Sequence, residues 1–221
     1  MSEELSTRPT VTPKIELTDL ELKSLIDSCW CRESDDPEFA RILSEPRERL
    51  VNVLSSAQTT SNVNADSAKM PTYEESSRAL KYTYLLAWLG EDYEANTQRI
   101  VRTVTNTTDE HLRGNAVGYL GILIRKGDKR LFRHIFELAP RSDAGVSTEI
   151  VEILRREIVD STDAVLAQLA EQPEPNQTAV ISLVSNIDEQ GKIECREKIR
   201  AAGSKNRNLE VLTNKMLKAI N

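Results

Sequence analysis

Glycine and proline are scarce, at eight residues each in a chain of 221, and most of them stand between apolar runs. That is too few for an all-β chain with many tight turns. No apolar run approaches the ~20 residues that span a bilayer as a helix. The stretch from Met1 to Leu17 carries Glu3 and Glu4 and no apolar core, so it does not read as a secretory signal. The cytoplasm is the expected compartment. Three cysteines, with Cys29 and Cys31 flanking Trp30 and Cys195 far away, make a poor disulfide framework. A Cys-x-Cys pair can ligate a soft metal, but no third and fourth ligand sits nearby. His111 and His134 stand alone. No metal and no cofactor is therefore expected. No phosphate-binding glycine loop, nucleophile elbow, His-Glu-x-x-His helix or Cys-x-x-Cys pair occurs.

What is present is enough apolar material for a core: 39% apolar against 29% charged residues. Residues 1–17 are polar, contain Pro9 and Pro13 and read as a disordered tail. Thr18 and Glu21 form a capping box before an apolar face of Leu22, Leu25, Ile26 and Cys29. Asp36-Pro37 opens a second helical stretch, with Pro46 expected to break or kink it before Leu50, Val53 and Leu54. Residues 18–58 thus read as an N-terminal helical hairpin. The polar run 55–71 reads as a loop, with 59–71 as the linker proper.

From Thr72 the pattern repeats. Helix openers recur at Thr72, Thr107, Ser142, Glu174-Pro175 and Asn206, at intervals of 35, 35, 32 and 32 residues. Thr72 to Glu75 and Thr107 to Glu110 read as capping boxes. Each interval holds two apolar-periodic segments, with breaks at Gly90-Glu91-Asp92, Gly127-Asp128, Asp160-Ser161 and Gln190-Gly191. The first segment of a unit is apolar on most sides, as in Ala79 to Leu89, and so is expected to be contacted on most sides. The second is one-sided. Units are expected near 72–106, 107–141, 142–173 and 174–205. A capping helix, 206–221, carries Leu209, Leu212, Met216 and Ile220 on one face.

Paired helices at this period, over about 72–221, resemble the HEAT and armadillo superfamily of helical repeats. Leu120-Gly121, Gly127, Phe136 and Ala139-Pro140, with Trp88-Leu89-Gly90 and Tyr93, also resemble the tetratricopeptide repeat. That pattern is one residue short between glycine and phenylalanine, and a break falls at Gly90 where the repeat continues its helix. The HEAT-like resemblance is preferred. It implies an all-α fold, a right-handed α-α superhelix (solenoid) of about four to five stacked helix pairs with a concave side, preceded by the N-terminal hairpin.

Net charge is −6 and uneven. Residues 142–191 hold two basic and ten acidic groups, between a segment (125–141) with six basic and two acidic and one (192–221) with eight and three. On a helix from Asp128 to Leu138, Lys129 and Arg133 lie four apart, as do Arg130 and His134, and Lys126 extends the stripe. Such a face suits phosphates or an acidic protein. No aromatic residue interleaves it, which argues against base stacking. The aromatic residues Tyr82, Tyr84, Trp88, Tyr93 and Tyr119 sit at core spacing, with Trp88 and Tyr119 as interface candidates. Gly114, Gly118 and Gly121 share one helix face, for close packing or a groove. Glu149 and Glu152, three apart, are neighbours that meet a basic partner or do acid–base chemistry.

With no catalytic constellation, the expected function is a non-catalytic protein-binding scaffold or adaptor. A narrower version is an inhibitor or immunity-type protein whose acidic third unit meets a basic partner. The alternative follows from the resemblance. Some DNA glycosylases for alkylated purines are built from HEAT-like repeats, so nucleic acid is the second partner class, with the 128–138 helix and the basic C-terminal segment as its footprint. That family's catalytic motif maps onto no particular residue here, and net −6 opposes it. A third reading makes residues 1–71 a docking arm in a larger assembly.

Overall fold

A computed structural model of the chain describes residues 17–29, 36–63 and 71–221. The disordered-tail expectation, Trp30 and Cys31 fall outside them. The described residues contain eleven α-helices and no strand: α1 Asp19–Ser28, α2 Pro37–Leu43, α3 Arg47–Val63, α4 Tyr73–Trp88, α5 Tyr93–Asn106, α6 Glu110–Lys126, α7 Phe132–Leu138, α8 Ala144–Ala170, α9 Glu174–Val184, α10 Glu189–Lys205 and α11 Glu210–Ala219.

Helix starts follow local chemistry closely. Both oxygens of the Thr18 and Thr72 boxes are used: Glu21 and Glu75 donate backbone N–H to the threonine hydroxyls, and their carboxylates accept from the threonine backbone. Asp36 caps α2 ahead of Pro37, and Pro46 separates α2 from α3. Two expected openers and one expected break shift to a neighbouring aspartate. Thr107 ends α5 and accepts from Asp109 N, and Asp109 then caps α6 by accepting from Leu112 N at 2.8 Å. Asp143, not Ser142, caps α8, and Asp188 caps α10 two residues before Gln190-Gly191. In each case the carboxylate stands three residues before the N–H it accepts, which is the N-cap geometry.

Two larger departures concern helix length. α3 runs on to Val63, through residues read as loop, because residues 55–63 are polar but contain neither proline nor glycine to stop a helix already started. At the expected break beside Asp160, Ser161 leaves helical geometry (φ −142°, ψ 39°), so α8 is two helical stretches joined across a kink.

The packing follows from this. α4 lies on α6, α6 on α8 and α8 on α10, forming one row. α5 packs on α4 and α6, α7 on α8 and α9, and α9 on α8 and α11. α10 pairs with α11. α9 lies between α8 and α11, and α11 packs on both α9 and α10. α6 touches helices on several sides and its residues from Ala116 to Ile124 are all buried, as its all-round apolarity predicts. The row is closely set: a Cβ on Gly191 would stand 2.8 Å from Arg155 Cδ, and one on Gly203 2.7 Å from Thr213 Oγ1.

The N-terminal helices dock on the array. α3 packs on α4, and Lys81 Nζ donates to Ile26 O, Asp27 O and Cys29 O at 3.1, 2.9 and 2.7 Å, closing the carboxyl end of α1. Tyr82 donates its hydroxyl to Asp27 Oδ1 and Gln58 donates to Thr83 Oγ1. Among the described residues no helix is long and apolar enough to cross a membrane.

Candidate interaction surface

The stripe from Lys126 to His134 is not one helix face. Lys129 to Leu131 form a 3-10 turn before α7, and the tighter winding rotates Lys129 away from Arg133. Lys129 points inward, 2.6 Å from Glu157, a carboxylate on α8 that is 1% exposed. Arg130 is turned to Asp128 (Nε 2.8 Å) and to Glu94 (3.2 Å). Arg133 reaches Glu137 at 2.8 Å, and His134 Nδ1 lies 3.7 Å from the other oxygen of Glu137. Lys129, Arg130 and Arg133 therefore each face a carboxylate of their own chain. Hydrogen bonding from Arg130 holds the Asp128 carboxyl below its ordinary range, and Asp128 in turn accepts from Tyr93 at 2.9 Å. Burial, reinforced by that bond, pushes the Tyr93 phenol up to about 12.

Lys126 leaves the stripe altogether. Its ammonium sits 4.3 Å over the Trp88 ring and donates to Trp88 O, and desolvation lowers its pKa. Gly90 (φ +80°) and Gly127 (φ +128°) turn the chain after α4 and α6, where a side chain would be strained. The two turns leave an open cleft of about 490 Å³ that brings together Trp88, Tyr93, Lys126 and Arg130. Trp88 is half-buried and packs against Phe39 (5.8 Å) and Tyr84 (6.2 Å). Tyr119 stacks on Tyr84 at 4.3 Å and is 5% exposed, which places it in the core.

Glu149 and Glu152 stand on α8 between two clefts. Toward α6 lies a pit of about 90 Å³ reached by Gly118, Gly121, Arg125 and Arg156. Toward the α9–α10 turn lies one of about 480 Å³ with Asn186 and Asp188. Glu152 accepts from Arg156 at 2.6 Å and from Arg155 at 3.4 Å, and Arg155 is 4.0 Å from Asp188. Arg125 is exposed and has no ionic partner among the described residues. The glycines that spacing placed on one face do meet the two glutamates. The arginines around them were missed, although Arg156 lies four residues after Glu152, a spacing that signals a helix pair.

What the ridge offers chemically is alternating charge on a rigid helix, not a nucleophile beside a base. Cys29 and Cys195 are buried, and burial pushes the Cys195 thiol up to about 11, away from reactive thiolate. Among the described residues no group of three or more His, Cys, Asp or Glu is set to hold a metal ion. Compared with known protein families, characterised proteins and solved structures, the chain matches none.

Proposed function

We propose that this chain is a non-catalytic protein-binding scaffold, a HEAT-like array of four helix pairs coiled as a right-handed superhelix. The observation that carries the reading is the α8 ridge: Glu149 and Glu152 between two clefts, with Arg125, Arg155 and Arg156 interleaved. Charges of both signs held in fixed geometry select a protein surface of complementary pattern. An inhibitor or immunity-type role is the narrower form, in which the acidic 142–191 segment covers a basic partner. Nucleic acid is the weaker partner class, because Lys129, Arg130 and Arg133 each face a carboxylate and so offer fewer free charges for phosphates.

The test is capture from native cytosol, with and without nuclease, comparing the wild-type chain with an Arg125→Glu/Glu149→Lys double variant of unchanged circular dichroism. A nuclease-resistant protein held by the wild type and lost by the variant supports the scaffold and places the ridge in its interface. Recovery of nucleic acid by both chains, with steep salt dependence, overturns it in favour of the nucleic-acid reading.

A further inference from the structure

On the opposite row, α5 and α7 do not close on one another. α7 is only seven residues long, between two 3-10 turns, and it leans on α8 and α9, while α5 leans on α4 and α6. The gap is a cleft of about 530 Å³. Val104, Leu138 and Val146 give it apolar walls, and Arg113 and Arg141 bring guanidinium groups to it, with His134 beside them.

The carboxylates in this cleft are already engaged. Asp143 Oδ1 accepts from Val146 N at 2.9 Å as the α8 cap, and its Oδ2 pairs with an Arg113 terminal nitrogen. Glu137 is shared between Arg133 and His134. The cationic side has capacity left over. Arg113 Nε is shut away from solvent and has no acceptor, a buried donor whose desolvation nothing offsets. Arg141 is exposed with no ionic partner among the described residues. Two guanidinium groups, one of them carrying a desolvated donor without an acceptor, line a space with aliphatic walls.

We propose that this cleft docks an acidic peptide segment of a partner protein, seating a Glu or Asp carboxylate between Arg113 and Arg141 with a neighbouring apolar side chain against Val104, Leu138 and Val146. Carboxylate is the complement because arginine forks match its two oxygens. The aliphatic walls favour a peptide over a bare anion. The inference rests on the scaffold reading, but this cleft shares no lining residue with the two clefts beside Glu149 and Glu152, so the two fail separately.

The probe is a phage-displayed library of random 12-residue peptides, selected on the full chain and then measured as fluorescein-labelled peptides by anisotropy. The expected result is a consensus pairing an acidic with an apolar residue. Arg141→Glu should weaken it at least tenfold and Arg125→Glu should leave it unchanged, and its addition should move the Arg113 Nε–H resonance. The proposal is overturned by a basic or uncharged consensus, by an acidic one indifferent to Arg141→Glu, or by no selected peptide at all. Peptides lost on Arg125→Glu but not on Arg141→Glu would keep the scaffold and remove this cleft. Arg113→Lys, which keeps a cation beside Asp143, separates loss of the guanidinium fork from loss of fold: circular dichroism stays constant while affinity drops.

Discussion

Gly121 faces Ile153 across the α6–α8 contact so closely that a Cβ there would stand 2.5 Å from Ile153 Cγ1 and 2.6 Å from Cδ1. Two effects oppose one another in Gly121→Ala. Alanine gains up to about 1 kcal/mol of helix propensity, while overpacking a close contact costs about 1–3 kcal/mol. Overpacking should win, because two atoms of the buried Ile153 side chain would both have to move away from the new Cβ. The expected loss is roughly 1–2 kcal/mol in urea unfolding. In a cycle with Ile153→Ala the two losses should be less than additive, since the second change removes the atoms in conflict. The Tyr93 phenol gives a pH-dependent counterpart. Its folded-state pKa of about 12 lies above the ordinary tyrosine value of 10.0. The folded state therefore keeps a proton that the unfolded state has released, and stability present below pH 10 is lost as pH rises from 10 toward 12. In Tyr93→Phe that part of the alkaline loss should disappear from thermal melts taken across this window.

At the scale of one element, α1 shows how a helix is finished by a distant residue. Its last turn contains no basic residue of its own, and Lys81 on α4 closes it through three carbonyls. Lys81→Met removes a charge-assisted set, for which about 1.5–3 kcal/mol is the expected loss. Amide exchange should accelerate first in α1 and leave α8 unchanged; uniform acceleration would show that α1 does not open on its own. Such a contact spans more than fifty residues, so no local pattern announces it. Much of the helical content was legible from capping chemistry at Thr18, Asp36 and Thr72 and from the apolar stripes, although the hairpin read over 18–58 is three helices, α1 to α3. Helix ends were less legible. Thr107 and Asp109 both suit an N-cap, and only the path of the chain decides between them. At Asp160-Ser161 the polar pair marked a real irregularity, but a kink and a turn share one signature in sequence. The 3-10 turn at Lys129 was invisible for a similar reason, and it dispersed a stripe that assumed 100° per residue.

For the molecule as a whole, period and apolar pattern indicated helices packed on their neighbours, whereas the contacts of α8 with both α9 and α10 join elements whose meeting no local spacing announces. The surface was legible as a sum of charges, not as pairs: cations in 125–141 meet carboxylates from α5, α7 and α8 that lie up to 36 residues away. The N-terminal helices offer the sharpest whole-molecule test. In a stack of helix pairs, the end unit exposes the face that inner units bury, and something must cover it. Here α3 covers α4, whose Leu80, Tyr82, Leu85 and Leu86 are all buried. If residues 1–71 are an integral cap, a 72–221 chain loses that cover along with the partners of Tyr82 and Thr83. It should melt about 10 °C lower or more, on the scale of about 2–4 °C per kcal/mol for a chain of this size. It should also bind a hydrophobic dye and self-associate in gel filtration through the bared α4 face. A monomeric fragment with an unchanged melting temperature would mean the opposite: α4 tolerates water, and the N-terminal helices are free to leave the array and dock on another protein.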